Sequence, residues 1–141
     1  MVCGEGKMEY EVIDMASWPR REYFEHYLNT VPCTYSMTVK LDITNLRRKK
    51  AKLYPPLLWL LTGAVDRHEQ FRMAFRPGGE LVRYAHMEPS YTVFHKETHT
   101  FSNLWTEYSA DYAEFQRRYE EDLRRYGEIE AFTAKPDVPE N

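Results

Sequence analysis

Apolar and polar residues alternate most regularly over residues 33–43. Cys33, Tyr35, Met37, Val39, Leu41 and Ile43 interleave with Thr34, Ser36, Thr38, Lys40 and Asp42. A period of two sends each set to one face of a strand, so this stretch is predicted to be a strand with one face buried. A helix would scatter the same residues around its surface. Upstream, residues 1–8 read as a loose start and residues 10–14 as a short strand. Ser17-Trp18-Pro19-Arg20 then predicts a helix start, with Ser17 or Trp18 at the cap and Pro19 in the first turn, where its missing N–H costs nothing. Tyr23, Phe24, Tyr27 and Leu28 fall on one face of that helix, which residues 29–32 bring to an end.

Beyond the alternating segment, residues 44–52 form a polar connector with helical character. Residues 54–67 are apolar on nearly all sides (Leu57, Leu58, Trp59, Leu60, Leu61, Ala64, Val65), which predicts a deeply buried helix packed on a sheet. Phe71, Met73 and Phe75 alternate again, Pro77-Gly78-Gly79 turns the chain, and residues 81–84 run back, which predicts a hairpin. Residues 91–94 read as another strand. A helical stripe of Leu104, Trp105, Tyr108, Tyr112, Phe115, Tyr119 and Tyr126 predicts one long helix over 102–126. Glu114–Arg118, Glu120–Arg124 and Glu121–Arg125 would support it at i,i+4 by about 0.2–0.5 kcal/mol each. Gly127 stops the helix, and Pro136 and Pro139 hold the last stretch extended. The expected class is α+β, with helices packed on a mostly antiparallel or mixed sheet.

The chain has 141 residues, enough for a single domain with a real core. Its net charge of −3 argues against a nucleic-acid partner, which calls for a clear basic excess. The local exception, Arg47, Arg48, Lys49, Lys50 and Lys52, reads as a solvated stretch, with a phosphate patch or nuclear signal as the minority alternative. Two cysteines, Cys3 and Cys33, make neither a disulfide framework nor a zinc pattern. Cys33 reads as a buried structural thiol. No leader-like run opens the chain, and the longest apolar stretch is broken by Pro55 and Pro56, short of the ~20 residues a bilayer span needs. The expectation is a cytoplasmic protein with no membrane partner. The aromatic share of 15% suits pockets and interfaces as well as ordinary cores.

Five histidines could carry acid–base chemistry: His26, His68, His86, His95 and His99. His95 and His99 lack a third ligand for a zinc site, and no metal is expected. Both read as exposed strand-end or loop residues, and His26 as a surface residue. No nucleophile elbow, phosphate loop or dinucleotide fingerprint is present. The residues alone carry the reading as far as an aromatic-rich α+β domain.

Five blocks, taken in order, add a resemblance. Trp18-Pro19-Arg20-Arg21-Glu22-Tyr23-Phe24 resembles the opening motif of chloramphenicol acetyltransferases. Residues 33–44 resemble the strand that follows it, Phe71-Arg72-Met73-Ala74 a further block, and Tyr91-Thr92-Val93-Phe94-His95 another. The last is Thr100-Phe101-Ser102-Asn103-Leu104-Trp105-Thr106-Glu107-Tyr108. Order and approximate spacing agree over nearly the whole chain. The resemblance implies a CoA-dependent acyltransferase fold, present in part, in homotrimers that move an acetyl group from acetyl-CoA to the 3-hydroxyl of chloramphenicol, an antibiotic-resistance activity.

By the same resemblance, a histidine serves as general base, a serine hydroxyl helps hold the oxyanion, and the site lies between subunits. Phe24, Tyr27, Val31, Cys33, Tyr35 and Phe101 match positions lining the antibiotic pocket. Arg20 matches an arginine that pairs with an aspartate near the catalytic histidine. The family's His-His-x-x-x-Asp-Gly segment has no counterpart in these 141 residues. The expectation is therefore a single domain over 1–141, truncated at its C-terminus, with no catalytic residue of its own and no turnover in isolation. Two other readings stay open: a non-enzymatic remnant that binds a drug or partner, and a family acetyltransferase with another hydroxyl acceptor.

Overall fold

In the computed structural model, which describes residues 9–49 and 52–141, the strands form two antiparallel sheets. In the first, β3 (Leu81–Tyr84) lies between β1 (Tyr10–Val12) and β2 (Met73–Phe75), with Arg83 opposite Glu11 on one side and Met73 on the other. The hairpin joining β2 to β3 is as expected. Its turn closes through Arg76 N–H to Glu80 O at 2.9 Å and Gly79 N–H to Arg76 O at 2.8 Å. Gly79 has φ +85°, a conformation that a residue with a Cβ adopts only under strain. The second sheet is the β4 (Ser90–His95) and β5 (Thr100–Trp105) hairpin, paired from Ser90↔Trp105 to His95↔Thr100.

The helices are α1 (Arg21–Glu25), which widens into a π-helical turn over His26–Thr30, then α2 (Thr44–Arg48), α3 (Tyr54–Asp66) and α4 (Tyr112–Tyr126). α3 opens on Pro55 and Pro56 and packs against α4 and the 3-10 turn Glu69–Arg72. Trp59 Nε1 donates to Ser109 O at 2.8 Å, tying α3 to the approach to α4. The chain passes so close at Gly63 that an added Cβ would lie 2.7 Å from the Tyr108 hydroxyl. The main core gathers Tyr91, Leu104, Tyr119 and Ala134, with Leu58, Val93, Leu123 and Tyr126 packed against it. Val82 and Tyr84 are buried within the first sheet, and Phe115 beneath α4.

Four sequence expectations change. Residues 33–43 form no strand among the described residues: Tyr35, Met37, Val39 and Leu41 are exposed, and so is the Cys33 thiol. Alternation sets up a strand, but a ladder also needs a neighbouring backbone to take its N–H and C=O groups, and no described strand lies alongside. The single helix expected over 102–126 is instead β5, a connector and α4. Ser102 and Leu104 point inward from a strand, and the helix starts only where Asp111 caps it, its carboxylate accepting from Ala113 N–H at 2.7 Å and Glu114 N–H at 3.3 Å. α3 is not buried all round, since Leu60 and Leu61 face outward. Ser17 does not cap α1, because its hydroxyl donates to Asp14 at 2.7 Å and Arg20 takes the cap position without a side-chain bond.

Smaller adjustments follow the same logic. Glu114 and Glu121 carry the α4 ion pairs, to Arg117 and Arg118 and to Arg124 and Arg125, while Glu120 accepts from Gln116. The loose start over 1–8, Cys3 and Lys50 lie outside the described residues. No described helix is long and apolar enough to cross a membrane.

Candidate functional site

An apolar groove of ≈ 750 Å³ opens between α1 and the first sheet. Its wall is the helical face read from the sequence: Tyr23, Phe24, Tyr27 and Leu28. Its floor is Met73, Ala74 and Phe75 of β2 with Leu81 of β3, and Trp18, Arg20 and Gln70 border it. The π turn helps to shape this wall. Val31 N–H donates to His26 O at 3.0 Å, a step of five residues, and the wider spiral turns Tyr27 and Leu28 relative to an α-helix.

Phe24 is the hinge of the aromatic packing. Its ring lies 5.4 Å from Trp18 and 5.9 Å from Phe75, centroid to centroid, which joins helix to floor. Such edge-on and tilted aromatic pairs add about 0.5–1.5 kcal/mol beyond area burial. The groove remains open to solvent: Tyr27 and Phe75 stay about half exposed. Among the lining residues only Arg20 carries a charge, and no ion pair to it is formed among the described residues. An apolar slot with one cation at its edge suits a flat, mostly apolar ligand or segment bearing a single acidic or polar group.

Of the residues singled out from sequence, Arg20, Phe24 and Tyr27 converge on this groove. Val31, Cys33 and Tyr35 do not: they follow the π turn along the irregular, exposed segment. Phe101 sits on the other sheet, half exposed, with its ring 6.0 Å from Phe132. Met73, Phe75 and Leu81 of the floor were readable as one face of the hairpin, but nothing in the sequence joined that face to α1. Phe132 carried no periodic signal at all.

None of the histidines lines the groove. His26 stacks edge-on to Tyr27 at 5.2 Å, yet it faces the polar side of α1 with Arg21, Glu22 and Glu25. His95, expected to be exposed, is buried, with Nε2 2.7 Å from Ser102 Oγ. Ser102 spends its own proton on Ile129 O at 2.6 Å, so the imidazole must donate to the serine. That polarity is the reverse of a base activating a nucleophile. His86 lies 3.7 Å from Glu88, whose carboxyl is raised above its ordinary range chiefly by burial, against the opposing bond from Tyr108 N–H. His99 sits on the β4–β5 turn with φ +54°.

Comparison with known proteins shows the chain's family and fold. The family model described as "Chloramphenicol acetyltransferase" matches residues 8–141. A chloramphenicol acetyltransferase of Vibrio anguillarum is 52% identical over 134 residues, covering 95% of this chain and 62% of the relative. One from Campylobacter coli is 51% identical over 134 residues, covering 95% of this chain and 65% of the relative. This chain thus spans less than two thirds of the length of these relatives. A solved chloramphenicol acetyltransferase structure superposes with a TM-score of 0.73 at 19% identity, covering 94% of this chain and 62% of that one, and shares the α+β fold.

Proposed function

Because the chain belongs to the chloramphenicol acetyltransferase family, we propose that it supplies the acceptor-binding part of an enzyme that acetylates a hydroxyl of chloramphenicol. The observation that carries this reading is the groove under α1, where Phe24 joins Trp18 to Phe75 and Tyr27 lines the same wall. A nitrophenyl ring is flat and polarisable, and aromatic walls match its faces. Burying such a ring is worth about 1.5–3 kcal/mol, enough to orient an acceptor without trapping it.

Acetyl-CoA is the donor on this reading, supplying an activated thioester. The groove is apolar with one cation, so it fits the acceptor ring and not the phosphates of a nucleotide. Acyl transfer also needs a base for the attacking hydroxyl and a donor for the oxyanion. Among these residues His95 is committed to Ser102, and no other histidine lines the groove. On this reading base and oxyanion donor belong to family segments with no counterpart in these 141 residues, and the active site is completed between subunits of a homotrimer whose chains carry them. In that assembly Val31, Cys33, Tyr35 and Phe101 add to the acceptor pocket, and Arg20 takes a carboxylate partner. A supply of acetyl-CoA puts the reaction in the cytoplasm.

An acetylation assay with acetyl-CoA and chloramphenicol, run on the 141-residue chain beside calorimetry, tests the proposal. Chloramphenicol binding without turnover is expected. Turnover well above background would overturn the assignment of the base to other polypeptide. Binding of a different hydroxyl compound in place of chloramphenicol would reassign the acceptor.

A further inference from the structure

We propose that residues 131–141 form a strap, fastened at Lys135, that opens and closes over the outer edge of β5 as a unit of its own. The segment leaves α4 and runs beside β5, where Asn103 and Thr133 form a parallel bridge. Asn103 N–H donates to Phe132 O at 2.8 Å, and Ala134 N–H donates to Asn103 O at 3.2 Å. These are the backbone bonds that tie the strap to the sheet, against a six-residue ladder between β4 and β5. Backbone pairing alone would hold it weakly.

The side chains hold it at the Phe132 ring, which lies 6.0 Å from Phe101, and above all around Lys135. Ala134 enters the main core. Next to it, Lys135 Nζ reaches Asp122 Oδ1 of α4 at 2.7 Å, with both side chains mostly buried. The other carboxylate oxygen accepts from Thr106 Oγ1 at 2.8 Å, and Thr106 Oγ1 in turn accepts from the Tyr91 hydroxyl at 2.8 Å. Lys135 also donates to Trp105 O at 3.1 Å and lies 3.8 Å over the Trp105 ring. Trp105 returns a bond from Nε1 to Pro136 O at 3.1 Å. Every polar member of this cluster has a partner, the condition under which a buried ion pair holds a geometry and does not merely cost desolvation.

The far end is different. After Asp137, at φ +53°, the strap crosses to the first sheet, where Glu140 pairs with Arg76 at 2.8 Å and Asn141 Nδ2 donates to His86 O at 2.7 Å. Glu140 meets Arg76 through both carboxylate oxygens, at 2.8 and 3.3 Å, but the pair is partly exposed and screened by water. One end is therefore a buried fastening and the other a partly exposed one. Two backbone bonds, the Lys135 cluster with its Trp105–Pro136 bond, the Ala134 core contact and the Phe132–Phe101 ring contact are what must break for β5 to lose its cover, whereas the ladder beneath can stay paired. Sub-global opening of this kind is expected where few backbone bonds and one local cluster hold a segment.

Hydrogen exchange on the full chain tests this. The Asn103 and Ala134 amides should be protected, but should open with a smaller denaturant dependence than the β4–β5 ladder amides. In Lys135→Met, which keeps an apolar stem on Trp105, those two amides should exchange about tenfold faster while the ladder changes less than about twofold. Asp122→Asn should give the same local pattern, and Glu140→Gln should leave Asn103 and Ala134 unchanged. Should Lys135→Met fail to fold, the wild-type denaturant dependence decides the matter. The proposal is overturned if strap and ladder amides share one denaturant dependence, or if the variants accelerate both alike or neither.

Discussion

Nε2 of His95 donates to Ser102 Oγ at 2.7 Å, and the same oxygen passes its own proton to Ile129 O at 2.6 Å. Two strands and the turn after α4 are thereby joined through one fully buried hydroxyl. Ser102→Ala would leave both the His95 N–H and the Ile129 carbonyl without partners. A loss of about 2 kcal/mol in urea-denaturation stability is expected, from the ~1–3 kcal/mol cost of stranding a buried polar group. An unchanged midpoint would mean that water or a shifted side chain replaces the hydroxyl.

Phe24 is the residue whose removal should hurt ligand binding most, because it touches both Trp18 and Phe75. Phe24→Ala should weaken chloramphenicol binding by the chain about tenfold, equivalent to ~1.4 kcal/mol. Phe101→Ala should leave the affinity of the isolated chain unchanged, since within one chain Phe101 lies on the other sheet, away from the groove. Isothermal calorimetry on both variants checks the pair; equal losses would mean that the ligand does not sit in the groove.

Glu88 gives a pH dependence of defined sign. Burial is the main cause raising its carboxyl above the ordinary value of 4.5, with Asp66 and Glu107 acting in the same direction and Tyr108 N–H and His86 against it. The folded chain thus holds the proton more tightly than the unfolded chain. This contribution favours folding at acid pH and is lost as pH rises through the folded value. Glu88→Gln keeps an acceptor for Tyr108 N–H and removes the charge. The variant should be more stable than the parent at neutral pH, and the difference should shrink towards pH 4. Thermal melts across pH 4–8 measure it, and a difference that grows on acidification would contradict the assignment.

At the start of α4, Asp111 answers two otherwise unpaired amides. Asp111→Ala should cost about 1 kcal/mol, and Asp111→Asn or Ser much less. Chemical denaturation of the set distinguishes the cap from a general charge effect.

Much of the fold was legible because its signals are local. The hairpin over 73–84 was readable from its alternation and turn glycines, and α3 from its continuous apolar run. The wall formed by Tyr23, Phe24, Tyr27 and Leu28 was readable from helical spacing. What failed was long-range. Leu104 and Trp105 fit a helical stripe by number, but β4 pairs with them as strand residues, and pairing overrode periodicity. Residues 33–43 have the cleanest strand pattern in the chain and no ladder among the described residues, because alternation says which face is apolar and not what lies beside it. For the site, helical spacing put Phe24 and Tyr27 on one face, Arg20 entered only through the resemblance, and the floor from β2 and β3 depends on a tertiary contact that no local pattern encodes.

The uncovered alternation has a practical side. Tyr35, Met37, Val39 and Leu41 present oily side chains to water from a stretch with β-forming residues and spare backbone donors. Such a stretch recruits whatever similar chain it meets. Polypeptide of this sequence should therefore scatter more light as it is concentrated, with the onset governed by these side chains and not by unfolding of the core.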